Sequence, residues 1–175
     1  MSGRAGFTDF ALDLYGSAGV SPACLLLQER RAVDVNLVLF AAYVGAHRGR
    51  PLSAADLARV AASVRPWQDE VVVPLRRVRR RLADGPEPAP TAATTALRDR
   101  ITGVELDAEM IELEQLRGHA EALVDDGPRD TPSAGERTSA AIDLALGGAG
   151  PAADERAAVD VIASAAVELA GRGTS

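Results

Sequence analysis

The chain has 175 residues, 47% of them hydrophobic but only 3% aromatic, and a net charge of −6. That length suits one domain, or one domain with an appendage, and the single cysteine, Cys24, excludes both an internal disulfide and a thiolate metal cluster. The N-terminus MSGRAGFTDF lacks the apolar core of a signal peptide, and the longest uncharged apolar run, Val35 to Ala46, falls short of the ~20 residues a membrane span needs, so no span and a cytoplasmic location are expected.

Apolar residues recur at helical spacing throughout, and no segment alternates with the period of a strand. In FTDFALDLYG, Phe7, Phe10, Ala11 and Leu14 share one face, with Thr8 or Asp9 as the cap and an end near Gly16. Ser21 and Pro22 read as the N-cap and first residue of a second helix that runs to Gln28 or Arg30. Asp34 then caps a third helix through VNLVLFAAYVGA, ending near Gly45 or Gly49. Ser53 to Asp56 resembles a capping box ahead of the stripe Leu57, Val60, Ala61 and Val64. Pro66 is expected to interrupt that helix, because an interior proline costs about 3 kcal/mol.

The next segment, PWQDEVVVPLRRVRRRLAD, aligns Trp67, Val71, Leu75, Val78 and Leu82, with a kink at Pro74. Trp67 continues the preceding stripe and is expected in the core of the first half. Asp84 to Thr95 is a Pro/Thr/Ala linker without apolar pattern. Beyond it Leu97, Ile101, Val104, Ala108 and Ile111 step by heptad spacing before the register slips to Leu113, Leu116, Ala120 and Leu123, which predicts one long amphipathic helix. Loops at Asp125–Glu136 and Gly147–Asp154 flank two Ala-rich helices, Ala134–Leu146 and Ala152–Ala170, and there is no internal repeat. Charge divides at the linker: residues 1–90 carry a net +3 and residues 91–175 a net −9.

The string ALDLYGSAGVSPACLLLQERRAVDVNLVLFAAYVGA (Ala11–Ala46), with the later PWQDEVVVPLRRVRRRL (Pro66–Leu82), resembles a proteobacterial family of short proteins of unknown function. The resemblance covers the first half of the chain. It implies a small all-α protein and brings no catalytic residues with it.

Candidate sites each have a structural reading beside the functional one. Gln28, Asp34 and Asn36 could form a buried polar cluster for a ligand, but Asp34 as a helix cap, with Asn36 in the first turn and Gln28 at the preceding helix end, explains them without one. Cys24 lies in the first turn of a helix, where the dipole can activate a thiol, yet neither His47 nor His119 is tied to it, and ACLLL reads as a buried small hydrophobe. On a wheel of roughly 100° per residue, Arg76, Arg77, Arg79, Arg80 and Arg81 occupy one face, and Val71, Leu75, Val78 and Leu82 the other. That basic face could bind phosphates, but aromatic stacking residues are missing from it. Pairing with Glu105 to Glu114 of the same chain accounts for it better, at the margins of a hairpin held by Val71, Val78 and Leu82 against Val104, Ala108 and Ile111. All 19 basic residues are arginine, as in GC-rich coding, so arginine identity alone carries no weight. Metal motifs, phosphate-binding glycine loops and nucleophile elbows are absent from the sequence, which implies no cofactor, metal or catalytic residue.

These readings combine into an all-α protein: a compact N-terminal helical domain over residues 5–83, a Pro-rich linker over 84–95, and looser C-terminal helices over 96–171. The expected role is a non-catalytic protein-interaction or regulatory module, whose candidate contacts are Gln28, Asp34, Asn36, Trp67, Arg76, Arg77, Arg79 and Arg80. An enzyme or small-molecule binder with its site near Tyr15, Asp34, Asn36 and Trp67 is the first alternative. Nucleic-acid binding through the arginine face is the second, and is disfavoured by the acidic balance.

Overall fold

The computed structural model describes residues 6–48, 51–123, 132–148 and 150–172, and within them every regular element is helical. In chain order these are α1 (Phe7–Gly16), α2 (Val20–Arg31), α3 (Val35–His47), α4 (Ala54–Trp67), a π-helical turn (Gln68–Val72), α5 (Val73–Asp84), α6 (Ala92–Leu123), α7 (Ala134–Ala145) and α8 (Ala153–Arg172).

Helix starts follow local chemistry, with some shifts from the sequence reading. α3 begins where expected: the Asp34 carboxylate accepts from the Asn36 N–H at 2.9 Å, satisfying one of the orphan donors of the first turn. α4 is likewise capped by Ser53, whose hydroxyl accepts from the Asp56 N–H at 3.0 Å. α1, however, starts at Phe7 with Gly6 as its cap, so Thr8 and Asp9 lie inside the first turn rather than capping it. α2 starts two residues before the expected Pro22, because Gly19 adopts the left-handed conformation (φ 80°) and lets fully buried Val20 open the helix. Pro22 still falls in the first turn, where its missing N–H has no intrahelical partner to lose. Ser133 and Glu136 form a reciprocal capping box for α7 that the sequence reading overlooked, although the S-x-x-E spacing signals it.

Pro66 does not interrupt α4. The helix runs through it to Trp67, continues as the π-helical turn, and passes directly into α5 with Pro74 in its first turn. The wider i→i+5 turn, closed by the Val73 N–H on the Gln68 carbonyl, lies directly before Pro74 and accommodates its missing N–H, whereas Pro66 stays inside the regular helix, which forgoes one ladder bond there. The loop expected from Asp125 lies, as far as residue 131, outside the described residues, as does Gly49.

Two compact units emerge: Met1–Ala61 with Leu116–Ser175, and Ala62–Gln115. The partition does not follow the linker, because α7 and α8 pack with the N-terminal helices instead of trailing from them. At the centre of the first unit is α3, apolar on nearly all sides and buried from Val38 to Gly45. It packs most extensively on α7, then on α8 and α1, while α2 packs on α8. Helix α7 comes so close to α3 that a Cβ on Gly45 would lie 2.5 Å from the Thr138 Cα. Phe7, Phe10, Phe40, Tyr43 and His47 gather on the α1 side in four edge-to-face contacts with ring centroids 5.1–5.9 Å apart, and Tyr43 and His47 lie tilted against each other at 4.3 Å.

A charged clasp joins α2 to α8. Arg31 donates from Nε and Nη2 to the two oxygens of Glu155, each at 2.8 Å, and the Ala152 N–H donates to the same carboxylate at 2.7 Å. The Arg31 and Ala152 hydrogen bonds hold the Glu155 carboxyl down to about 2.

Candidate interaction surface

The second unit is built around the passage from α4 through the π-helical turn into α5, and the first three-quarters of α6. Three anchors set the register of α6. Trp67 donates from Nε1 to the Ala108 carbonyl at 2.9 Å. Arg76 donates from Nε to Glu105 at 3.1 Å and from Nη2 to Glu109 at 2.7 Å. Arg79 donates from Nε to the other Glu105 oxygen at 2.5 Å. Glu105 and Glu109 are one turn apart, so a single face of α6 presents both carboxylates.

Glu105 is only 5% exposed. Burial works against its charge, but the hydrogen bonds from Arg79 and Arg76 outweigh it and hold the carboxyl below its ordinary value. The same bond to Glu105 raises the Arg79 guanidinium, against the opposing effect of burial.

Pairing of the arginine face with acids of α6 was expected from the sequence, but its place in the hairpin differs. The ion pairs are not at the margins. Glu105, Ala108, Glu112 and Leu113 are the buried residues of α6 within this unit, whereas Val104 and Ile111 remain 49% and 48% exposed and Leu97 38%. On α5, Val78 is exposed too, so it does not meet Val104 and Ile111 in a common core. The physical reason lies in the anchors: Trp67 on Ala108 and two arginines on Glu105 rotate the heptad row Leu97, Val104, Ile111 outward. Trp67 itself is half-buried and bonded within this unit, which corrects its expected place in the core of the first half.

The other residues singled out by sequence are dispersed. Gln28 is half-buried in the last turn of α2, where its carbonyl accepts from the Ala32 N–H that closes the helix. Asp34 and Asn36 are together at the start of α3, in the capping bond already described. Tyr15 is on the exposed side of α1. Cys24 is fully buried, and burial pushes its thiol up to about 12, so no thiolate forms near neutrality. Arg77 and Arg80 are exposed on α5.

A groove of about 200 Å³ in the first unit is lined by apolar side chains of α3, α4 and α7, among them Leu37, Leu57, Ala61 and Leu144. It includes none of the candidate residues and gathers no converging polar groups, which a catalytic site requires. Among the described residues, no group of three or more His, Cys, Asp or Glu side chains is placed to hold a metal ion, and no single helix is long and apolar enough to cross a membrane. Residues 7–116 match a family described as a protein of unknown function (DUF2390). No curated protein and no solved structure matches the chain.

Proposed function

We propose that this chain, which belongs to the DUF2390 family of proteins of unknown function, is a non-catalytic protein-interaction module that accepts a helix on the outer face of α6. One observation carries the reading: the hairpin turns its ion pairs inward and its heptad row Leu97, Val104 and Ile111 outward. Amphipathic helices of globular proteins normally do the reverse. An exposed apolar row at i, i+7, i+14 is the surface that helix-to-helix docking uses, and contiguous exposed apolar area is uncommon unless something covers it.

The alternatives draw less support. Arg76 and Arg79, the centre of the basic face, are already bonded to carboxylates, which a phosphate backbone would have to displace. The groove in the first unit offers shape but no polar side chain to fix a ligand's orientation. The same reading has the protein act in the bacterial cytoplasm, which fractionation of the native chain would test.

A photo-crosslinking amino acid in place of Val104, in growing cells, tests the docking reading. Protein adducts are expected there and not from Leu106, which is also exposed but lies about 200° round the helix. Equal adducts from both positions, or none from either, would overturn it.

A further inference from the structure

We infer that the helix accepted by this face is α6 of a second copy, packed antiparallel about a two-fold axis that passes between Gly103 and Val104; the inference rests on the docking reading above. The outer face is not uniformly apolar. Reading along it, Ala96, Leu97, Arg100, Gly103, Val104, Asp107, Met110 and Ile111 are all exposed. Arg100 and Asp107 are embedded in the apolar row: their neighbours at three and four residues are Ala96, Leu97, Gly103 and Val104 for Arg100, and Gly103, Val104, Met110 and Ile111 for Asp107. Neither charge therefore has an opposite charge at helical pairing distance on its own helix. Two unlike charges inside an exposed apolar stripe call for a partner that carries the reverse pair.

The chain itself carries it. Rotating α6 by half a turn about a point midway between Gly103 and Val104 brings Arg100 opposite Asp107 of the second copy, and Asp107 opposite its Arg100. The same operation sets Leu97 against Met110, Ala96 against Ile111, and Gly103 against Val104. Charge meets opposite charge, and each of the two smallest residues meets a branched one. Nothing lies within 4 Å of where a Gly103 Cβ would be, so the second helix can approach closely there. A parallel, in-register pair would instead stack Arg100 on Arg100 and Asp107 on Asp107, which repels twice. The self-complementary patch is what an isologous interface requires.

From Ala96 to Ile111 the face is about 22 Å long at 1.5 Å per residue. One helix face of that length buries less than the ~800 Å² per partner of a standard stable interface, so the dimer should be reversible and form in the micromolar range.

Sedimentation equilibrium of the full chain over a dilution series measures this directly. A monomer–dimer equilibrium is expected. Arg100→Asp or Asp107→Arg alone, each of which places two like-charge contacts across the axis, should raise the dissociation constant roughly tenfold or more. The two together should restore it to within about threefold. Both substituted positions are exposed, and an unchanged denaturant midpoint confirms that each variant folds. In parallel, Gly103→Cys under mild oxidant should form an intermolecular disulfide, and Asp99→Cys, exposed one turn away on α6, should not, because the two-fold axis sets its two copies about 13 Å apart along the helices. A dimer indifferent to both reversals uses another surface, and overturns the proposal. A chain that stays monomeric with no disulfide at Gly103→Cys overturns it as well. In that event, adducts to other proteins from the crosslinker at Val104 leave the docking reading standing, and their absence removes both.

Discussion

Gly45 shows how a single missing side chain sets the packing of the first unit. Its hydrogen stands where a Cβ would press to 2.5 Å from the Thr138 Cα and 3.0 Å from the Arg137 carbonyl oxygen, both backbone atoms. Gly45→Ala should therefore destabilise by about 1–3 kcal/mol through overpacking, despite alanine's better helix propensity, and a urea midpoint measures it. An unchanged midpoint would mean that α7 can shift away. Cys24, buried and with its thiol held up at about 12, should resist alkylation in the native chain and react only on unfolding; rapid labelling in native buffer would refute that. Residue-scale features of this kind differ in how far sequence reveals them. The Asp34 cap is legible, because an N-cap uses only atoms two residues apart. The need for glycine at 45 is not, because the atom it avoids is more than ninety residues away.

At the scale of elements, the period of a helix is legible but its phase is not. Heptad spacing from Leu97 to Ile111 correctly marks a long helix, yet the face that α6 buries is chosen by Trp67, Arg76 and Arg79, which the spacing does not contain. Pro66 misleads for a related reason: the helix simply runs through it, forgoing one ladder bond, and the local cost of a proline does not say whether the surrounding helix continues. Glu105→Gln should cost about 2–3 kcal/mol, the scale of hydrogen bonds to charged groups, and should lower hydrogen-exchange protection along α6. Full protection in that variant would show that apolar contacts alone hold the hairpin. The α2–α8 clasp makes a pH prediction. The Glu155 carboxyl is depressed in the folded chain, from 4.5 to about 2, so its contribution is fully present above about pH 4.5. It is lost as pH falls from there towards 2, because the unfolded chain takes up the proton first. Glu155→Gln should be less stable than the parent at pH 6, with the difference shrinking across that window; a constant difference would contradict the clasp.

For the whole chain, the all-α class and the long helix are legible, whereas the grouping of helices is not. A Pro-rich segment marks where the chain is extended locally, but α3, apolar around its circumference, needs covering helices, and α7 and α8 supply them. A fragment ending at residue 83 lacks both, and its far-ultraviolet circular dichroism should show a poorly folded chain; a cooperative melt would place the division at the linker after all. On the docking proposal, the outer face of α6, exposed in the folded chain, serves association instead of stability. The most direct test of this is the denaturant midpoint, at high dilution, of the triple variant Leu97→Gln, Val104→Gln, Ile111→Gln. The account predicts a change within about 0.5 kcal/mol, as for surface substitutions. A loss of several kcal/mol, as when three buried aliphatic side chains are removed, would mean that this face belongs to the core and would contradict it.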